Sequence, residues 1–490
     1  MSLPAISELK PAAVSDNTAR KGFLRALKLF QQAAERIPAY KDFLKKKNVR
    51  PSSVKTLEDF AQLPITDKQN YIMQYELPAL SWDGRLDEAK CVSTSSGSTG
   101  VPFFWPRGHR QDVVVNQMLQ RIYESVFGTG TGSTLVVNSF ALGQWIAGFE
   151  FYNGTKWAAE RGNHLVIVTP GIDRSETIRE IKKLGSLFDR IILAGYPPFI
   201  KDVIEQGALE GIKWSSIDLK MLLGGEAVSD VWKDRVLEMI GRDSEIQRIV
   251  VEYGMAESAV VANETPVSSV LRRYLKTVEG GHDFFPPYDE VVGLYQYYPK
   301  ARYFEMHDGG LILTSDAGLP LVRYDTRDSG GLLDYSHVIE RGGAELKAFA
   351  KRHEVDLASW QLPFVYLKGR KDFSISLYAL NIYVEHVKRA LESSKCADDL
   401  SGLFTMSVEH DQNLDQRFSI TAELARGISP VRELTEILTK DVIDRLCVLN
   451  TEYSKLYGSI GERAKPYITL VKYGEIETIP GRKHKWVKRS

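Results

Sequence analysis

The chain has 490 residues, 43% apolar and 26% charged, an ordinary globular composition with enough apolar sequence for two domains with real cores. Lysine plus arginine equals aspartate plus glutamate at 63 each, so no global charge points to nucleic acid or a membrane surface. Three widely spaced cysteines exclude a disulfide framework and fit a reducing, cytoplasmic setting, and no Cys/His cluster suggests structural zinc.

Glu8, Lys10 and Asp16 precede any long apolar run, which argues against a signal peptide, and no run approaches the roughly 18 apolar residues of a membrane span. Residues 20–47 place Phe23, Leu27, Phe30, Ala34, Tyr40 and Phe43 at helical spacing. Then comes Ser93-Thr94-Ser95-Ser96-Gly97-Ser98-Thr99-Gly100, with six hydroxyls and two glycines. Glycine lets backbone N–H groups approach an oxyanion, and the hydroxyls add rotatable donors. A linker would sit in polar sequence, whereas this run passes straight into Val101-Pro102-Phe103-Phe104-Trp105-Pro106. A phosphate-binding loop is therefore the preferred reading. It is not a Walker loop, because Val101 follows Gly100 where lysine would stand. The Gly128–Gly132 run is not a Rossmann fingerprint either, since Ser133 replaces the third glycine and the run precedes an apolar stretch; it reads as a surface turn. No G-x-S-x-G elbow is present.

The middle of the chain alternates strands and helices. Residues 165–168 predict a buried strand, 175–188 a helix, 190–193 a strand, 198–205 the start of a helix, and 219–223 a strand. Ser229 caps a helix running through Ile240, and a further strand covers 248–252. This order predicts an α/β fold with parallel strands, which binds ligands beyond the strands' carboxyl ends. Gly224-Gly225-Glu226 and Tyr253-Gly254-Met255-Ala256-Glu257 fall at two such ends. Each alone reads as a turn, or as a nucleotide contact in which Glu257 holds magnesium. A strand over 310–314 leads to Arg323–Asp328, read as a turn whose Asp328 bonds its own backbone or accepts from ribose hydroxyls. Lys368-Gly369-Arg370-Lys371-Asp372 marks a domain boundary. Beyond it, helices over 384–393 and 430–446 and strands over 418–422 and 468–473 form a small α+β domain.

Taken in order, these motifs resemble those of the acyl-adenylate-forming superfamily, and most of all its phenylacetate-CoA ligase branch. The loop ending Ser98-Thr99-Gly100 resembles the family's phosphate loop, Gly224-Gly225-Glu226 its Gly-Ala-Glu, Tyr253–Glu257 its Tyr-Gly-x-Thr/Ser-Glu, and Arg323–Asp328 its Arg-Tyr-x-Thr-Gly-Asp. Gly369–Asp372 resembles the hinge, and Thr56–Lys68 and Ile479–Trp486 are typical of the branch.

The resemblance implies a large N-terminal adenylation domain (1–368) and a small mobile C-terminal domain (369–490). It implies ATP, magnesium and probable use of CoA, a carboxylic acid as substrate, and a carrier protein, an amine or a homodimer as other partners. Ser95, Ser96, Gly97, Ser98, Thr99 and Gly100 would hold the outer phosphates. Gly225, Glu226, Tyr253, Gly254, Met255, Ala256, Asp328 and Arg370 would surround the rest of the nucleotide. Glu257 would take the metal, Asp372 would be the hinge, and Lys483 the catalytic cation, with Lys485 its rival. Trp145, Phe149, Tyr196 and Gly224 would line the acid site, together with Phe140, Phe151 and Tyr152, an aromatic set suited to an aryl or arylacetic acid; as residues alone, such aromatics read equally as core. Ala256, Arg327 and Ala379 depart from the pattern at positions that usually hold Thr or Ser, Gly, and Gly. A thiol other than CoA, an amine acceptor, or a homologue that binds nucleotide without catalysis are the alternative expectations, and the basic tail around Lys483 also reads as merely solvated.

Overall fold

A computed structural model describes residues 16–87, 89–94, 103–143, 146–225, 227–243, 245–278, 293–370, 374–377, 380–410, 416–477 and 486–487. Among them an eleven-stranded mixed sheet runs, edge to edge, Tyr303–His307, Gly310–Ser315, Leu321–Leu333, Phe364–Arg370, Gly293–Gln296, Ala259–Asn263, Ile249–Met255, Leu219–Gly224, Arg190–Gly195, Thr134–Asn138 and Leu165–Val168. The five strands from Ile249–Met255 to Leu165–Val168 are parallel and the others antiparallel.

The parallel strands are apolar throughout because both faces are covered. Val136, Ile192, Leu222 and Val250 face one apolar cluster, shared with the helices His109–Ser125 and Ile146–Ala159. Leu135, Val137, Ile191, Leu193, Leu223 and Val251 face the other, shared with Arg174–Leu184, Pro197–Leu209 and Asp230–Met239. This two-residue alternation is what a strand imposes. Ser229 caps the last of these helices as expected, its hydroxyl accepting from Trp232 N at 3.1 Å.

Several elements differ from their sequence reading. The helical pattern over 20–47 is two helices, Asp16–Arg36 and Pro38–Lys46, broken where Pro38 cannot continue the first. Leu165–Val168 is an edge strand, and Val166 is half exposed. Tyr253, Gly254 and Met255 lie within a strand, paired with Ala262, Val260 and Ala259, so they are not a post-strand turn. Arg323–Asp328 is not a turn either but part of the thirteen-residue strand Leu321–Leu333. Arg323 and Arg327 there have φ of 46° and 63°, and irregular register with Gly310–Ser315 accompanies these kinks. Lys368–Arg370 belongs to the main sheet, where Gly369 and Arg370 pair with Ser329 and Asp328.

A two-stranded hairpin, Ala89–Thr94 with Phe104–Gly108, stands apart from the main sheet. The N-terminal helices pack Phe30, Tyr40 and Phe60 in one cluster with Trp105 of this hairpin and with Leu319, Leu321 and Tyr324. A fourth apolar cluster contains only residues from Ile375 onward. It joins the three-stranded sheet Leu400–His410, Gln416–Leu424 and Tyr467–Val471 to the helices Val384–Glu392, Arg432–Leu449 and Thr451–Ile460. Polar contacts link this body to the larger one: Ser229 Oγ to Glu392 Oε2 at 2.6 Å, Arg426 Nη1 to Gln206 Oε1 at 2.6 Å, and the Tyr473 hydroxyl to Asp202 Oδ1 at 3.1 Å. No helix among the described residues is long and apolar enough to cross a membrane.

Candidate active site

The hydroxyl- and glycine-rich run joins the two strands of the hairpin. Its residues Ser95–Gly100 lie outside the described residues, but Thr94 and Phe104, which flank it, are antiparallel partners. Arg107 anchors this hairpin. Its Nε donates to Ser93 Oγ at 2.9 Å, and its Nη2 donates to the carbonyl of Ala256. The hairpin is thereby fastened to the turn before Glu257, 149 residues away in sequence. Burial lowers the affinity of Arg107 for its proton, and the charges of Glu150, Cys91, Glu257 and Asp112 oppose that.

The strand positions of Tyr253 and Asp328 bring the two together. The Tyr253 hydroxyl donates to Asp328 Oδ2, and both residues are buried. Tyr253 also lies near the rings of Tyr295 (5.8 Å between centroids) and Phe304 (6.5 Å). The Tyr324 hydroxyl donates to Glu257 Oε1 at 3.4 Å, so Glu257 faces the same strand that carries Asp328. Thr66 and Asp67 brace that strand: Asp325 N donates to the Thr66 carbonyl at 2.8 Å, and Arg327 Nη2 to Asp67 Oδ2 at 2.6 Å.

Gly224 and Gly225 close the Leu219–Gly224 strand. Gly225 has φ of 94°, and a Cβ there would stand 2.8 Å from the Tyr196 ring, so only glycine fits. Phe140 meets Tyr196 edge-on at 5.1 Å and stacks on Phe151 at 4.5 Å. Phe149 is 40% exposed, so the inward aromatic of this pair is Phe151. Glu226, Trp145, Asp372, Ala379, Lys483 and Lys485 lie outside the described residues, and of Arg370 only the backbone is described. Trp486, next to the basic tail, is docked: its carbonyl accepts from Met406 N at 2.7 Å and its ring packs on Phe404 at 4.7 Å.

Among the described residues no group of three or more His, Cys, Asp or Glu could hold a metal ion. Glu257 alone suits a magnesium ion that takes most of its ligands from phosphate and water oxygens. Sequence reasoning missed Arg107, and it placed Tyr324 in the Arg323–Asp328 motif without giving it a role. Arg107 comes directly after the apolar run Phe103-Phe104-Trp105-Pro106, which was the available signal.

No protein-family model matches the chain. The crystal structure of 2-hydroxyisobutyryl-CoA ligase in the postadenylation state, in complex with R3-HIB-AMP, superposes with a TM-score of 0.70 at 15% identity, covering 100% of this chain and 94% of that one. The chain shares the fold of that adenylate-forming CoA ligase. The same ligase in its thioesterification state, with 2-HIB-AMP and CoA, superposes at 0.56. A phenylacetate-coenzyme A ligase of Pseudomonas putida is 24% identical over 307 residues, 62% of this chain. The chain spans 64% of the length of that relative. In an open α/β sheet ligands bind beyond the carboxyl ends of the parallel strands, and Gly224, Gly225 and Tyr253–Glu257 stand there.

Proposed function

We propose that the chain is an ATP-dependent acid ligase that makes an acyl-adenylate and then passes the acyl group to the thiol of CoA. One observation carries the reading: the hairpin of the hydroxyl-rich loop, Glu257, and the Tyr253–Asp328 pair converge through Arg107 and Tyr324 at one end of the parallel strands. The similarity to a phenylacetate-CoA ligase and the higher TM-score to a postadenylation arrangement support it.

In the first step a carboxylate oxygen bonds to the α-phosphorus of ATP while the bond from that phosphorus to the bridging oxygen breaks, and pyrophosphate leaves. In the second, the thiol sulfur bonds to the acyl carbon, its proton goes to solvent, and AMP leaves with the electrons of the broken C–O bond. The protein supplies position and charge neutralisation. The loop Ser95–Gly100 holds the outer phosphates on a hairpin that Arg107 keeps beside Glu257. Asp328, oriented by Tyr253, accepts from the ribose hydroxyls. Glu257 is the residue that would hold magnesium, which neutralises phosphate charge when bound. Gly225 leaves room for the ring of Tyr196 beside the acid. Residues 1–368 form the adenylation domain and 369–490 a mobile domain that turns about Asp372 and presents Lys483 to the α-phosphate.

Acid-dependent pyrophosphate release from ATP, measured over a panel of aryl, arylacetic and aliphatic acids, tests the reading. Release with at least one acid, followed by AMP release on adding CoA, is expected. Intact ATP binding without release for any acid would leave a nucleotide-binding homologue. AMP release that requires an amine or a carrier thiol, and ignores CoA, would keep the adenylate and change the acceptor.

A further inference from the structure

Glu150 lies on the helix Ile146–Ala159, between outward Phe149 and inward Phe151. Through Phe151 this stretch of helix meets Phe140, and Phe140 lies 3.6 Å from the point where Gly224 would carry a Cβ. The register partner of Gly224 is Glu252, which shares the pleat face of Val250, and Val250 belongs to the same cluster as Phe140 and Phe151. Burial, and then the charge of Glu150, hold the Glu252 carboxyl well above the usual carboxylate range. The aromatic wall of the acid site therefore has a carboxyl group beside it.

This carboxyl group is unspent. Glu150 is only 8% exposed, yet it makes no hydrogen bond or ion pair among the described residues. The two nearby arginines do not use it. Arg107 directs Nε to Ser93 and Nη2 to the Ala256 carbonyl. Arg302 donates to the carbonyls of Val260, Ser258 and Ala301 at 3.2–3.3 Å. Arg107 Nη1 has no partner, but it is sealed off, so it offers nothing to a ligand without rearrangement. The polar group within reach is thus an acceptor, and a buried acceptor left unmatched is costly. Burial pushes Glu150 up to about 7, with Arg107 opposing, Asp112 adding and Arg302 opposing. An ammonium or hydroxyl donor placed beside it would favour the ionised form.

We infer that Glu150 is a specificity-determining acceptor of the acid site, selecting acids that carry an amine or hydroxyl remote from the reacting carboxylate. This rests on the ligase reading and adds the substrate class. The test is pyrophosphate release with hexanoate and its 6-hydroxy and 6-amino forms, and with phenylacetate and its 4-hydroxy and 4-amino forms. In the wild type a donor-bearing acid is expected to exceed its plain parent in kcat/KM by about 10- to 100-fold. Glu150→Ala should collapse that ratio to within about threefold. Glu150→Gln keeps the shape and one accepting oxygen, so it should retain the preference for hydroxyl and lose that for ammonium; its melting temperature controls for folding. A wild-type ratio of one or less, or a ratio that Glu150→Ala leaves untouched, overturns the inference and leaves the ligase reading standing. No release with any acid overturns the ligase reading, and the inference with it.

Discussion

The hydroxyl of Tyr253 donates to the carboxylate of Asp328, joining the last parallel strand to the long kinked strand 75 residues further on. Neither residue has the surface to find a substitute partner in water. The bond aims Asp328. Tyr253→Phe should therefore weaken ATP binding by about tenfold, the usual worth of a hydrogen bond to a charged group, with kcat at saturating ATP unchanged. Acid-dependent exchange of pyrophosphate into ATP, titrated with ATP, measures this. A fall in kcat at an unchanged KM would mean that Tyr253 acts on the reacting atoms instead.

Arg327 stands where the family pattern has glycine, and its φ of 63° explains why glycine is common there. The arginine is retained with Asp67 and Asp325 as ion partners, but its side chain is 40% exposed, so the pairs contribute little. Arg327→Ala keeps the strained backbone and loses the partners. Arg327→Gly loses the partners and relieves the strain. The glycine variant should be more stable than the alanine variant by about 1 kcal/mol in urea unfolding. Equal stability of the two would remove the case for a left-handed backbone at this position.

Much of the parallel part of the sheet was legible because Leu165–Val168, Ile191–Leu193, Met221–Leu223 and Ile249–Val251 are continuous apolar runs between helical patterns, whereas the strand Thr134–Asn138 was passed over as an apolar stretch after a turn. Asp328 was identified as a residue of interest but misplaced in a turn. Its segment mixes charges with Val322 and Tyr324 because one flank meets Thr66 and Asp67 while the other joins a mixed sheet, and no local period records such distant partners. Arg107 and Glu150 were illegible for the same reason. The meaning of each charge depends on what folds against it from elsewhere in the chain.

His386 gives the smaller body a pH dependence. It is buried on the helix Val384–Glu392, its ring lies 5.3 Å from that of Tyr383, and Nδ1 stands 3.5 Å from Asn450 Nδ2. Burial, and then the charge of Lys368, push it down from 6.5 to about 4. The folded value lies below the unfolded one, so the neutral ring's stabilising contribution is complete above about pH 6.5 and is lost as pH falls through about 4. The difference corresponds to about 3 kcal/mol at full extent. His386→Leu should show a smaller drop in melting temperature between pH 7 and pH 4 than the wild type. An identical drop would mean that His386 takes up its proton in the folded state as readily as in the unfolded one.

Trp486 directly follows the basic tail that carries Lys483 and Lys485. Its carbonyl is held by Met406 N, its ring packs on Phe404, and Lys388 Nζ lies 5.6 Å from the ring centroid. Lys483 is the candidate for the α-phosphate that the family resemblance points to, and Lys485 is its rival. Lys483→Ala should lower acid-dependent pyrophosphate exchange by about 10²- to 10³-fold with ATP binding retained, as loss of a preorganised cation at a developing charge does. Lys485→Ala should leave exchange within about threefold of wild type. Trp486→Ala should reduce exchange although it alters no charge, because it removes the packing on Phe404 that fastens the chain three residues after Lys483. If Lys485→Ala abolishes exchange and Lys483→Ala does not, the assignment reverses. If Trp486→Ala is neutral, the docked tail contributes nothing to aligning either lysine.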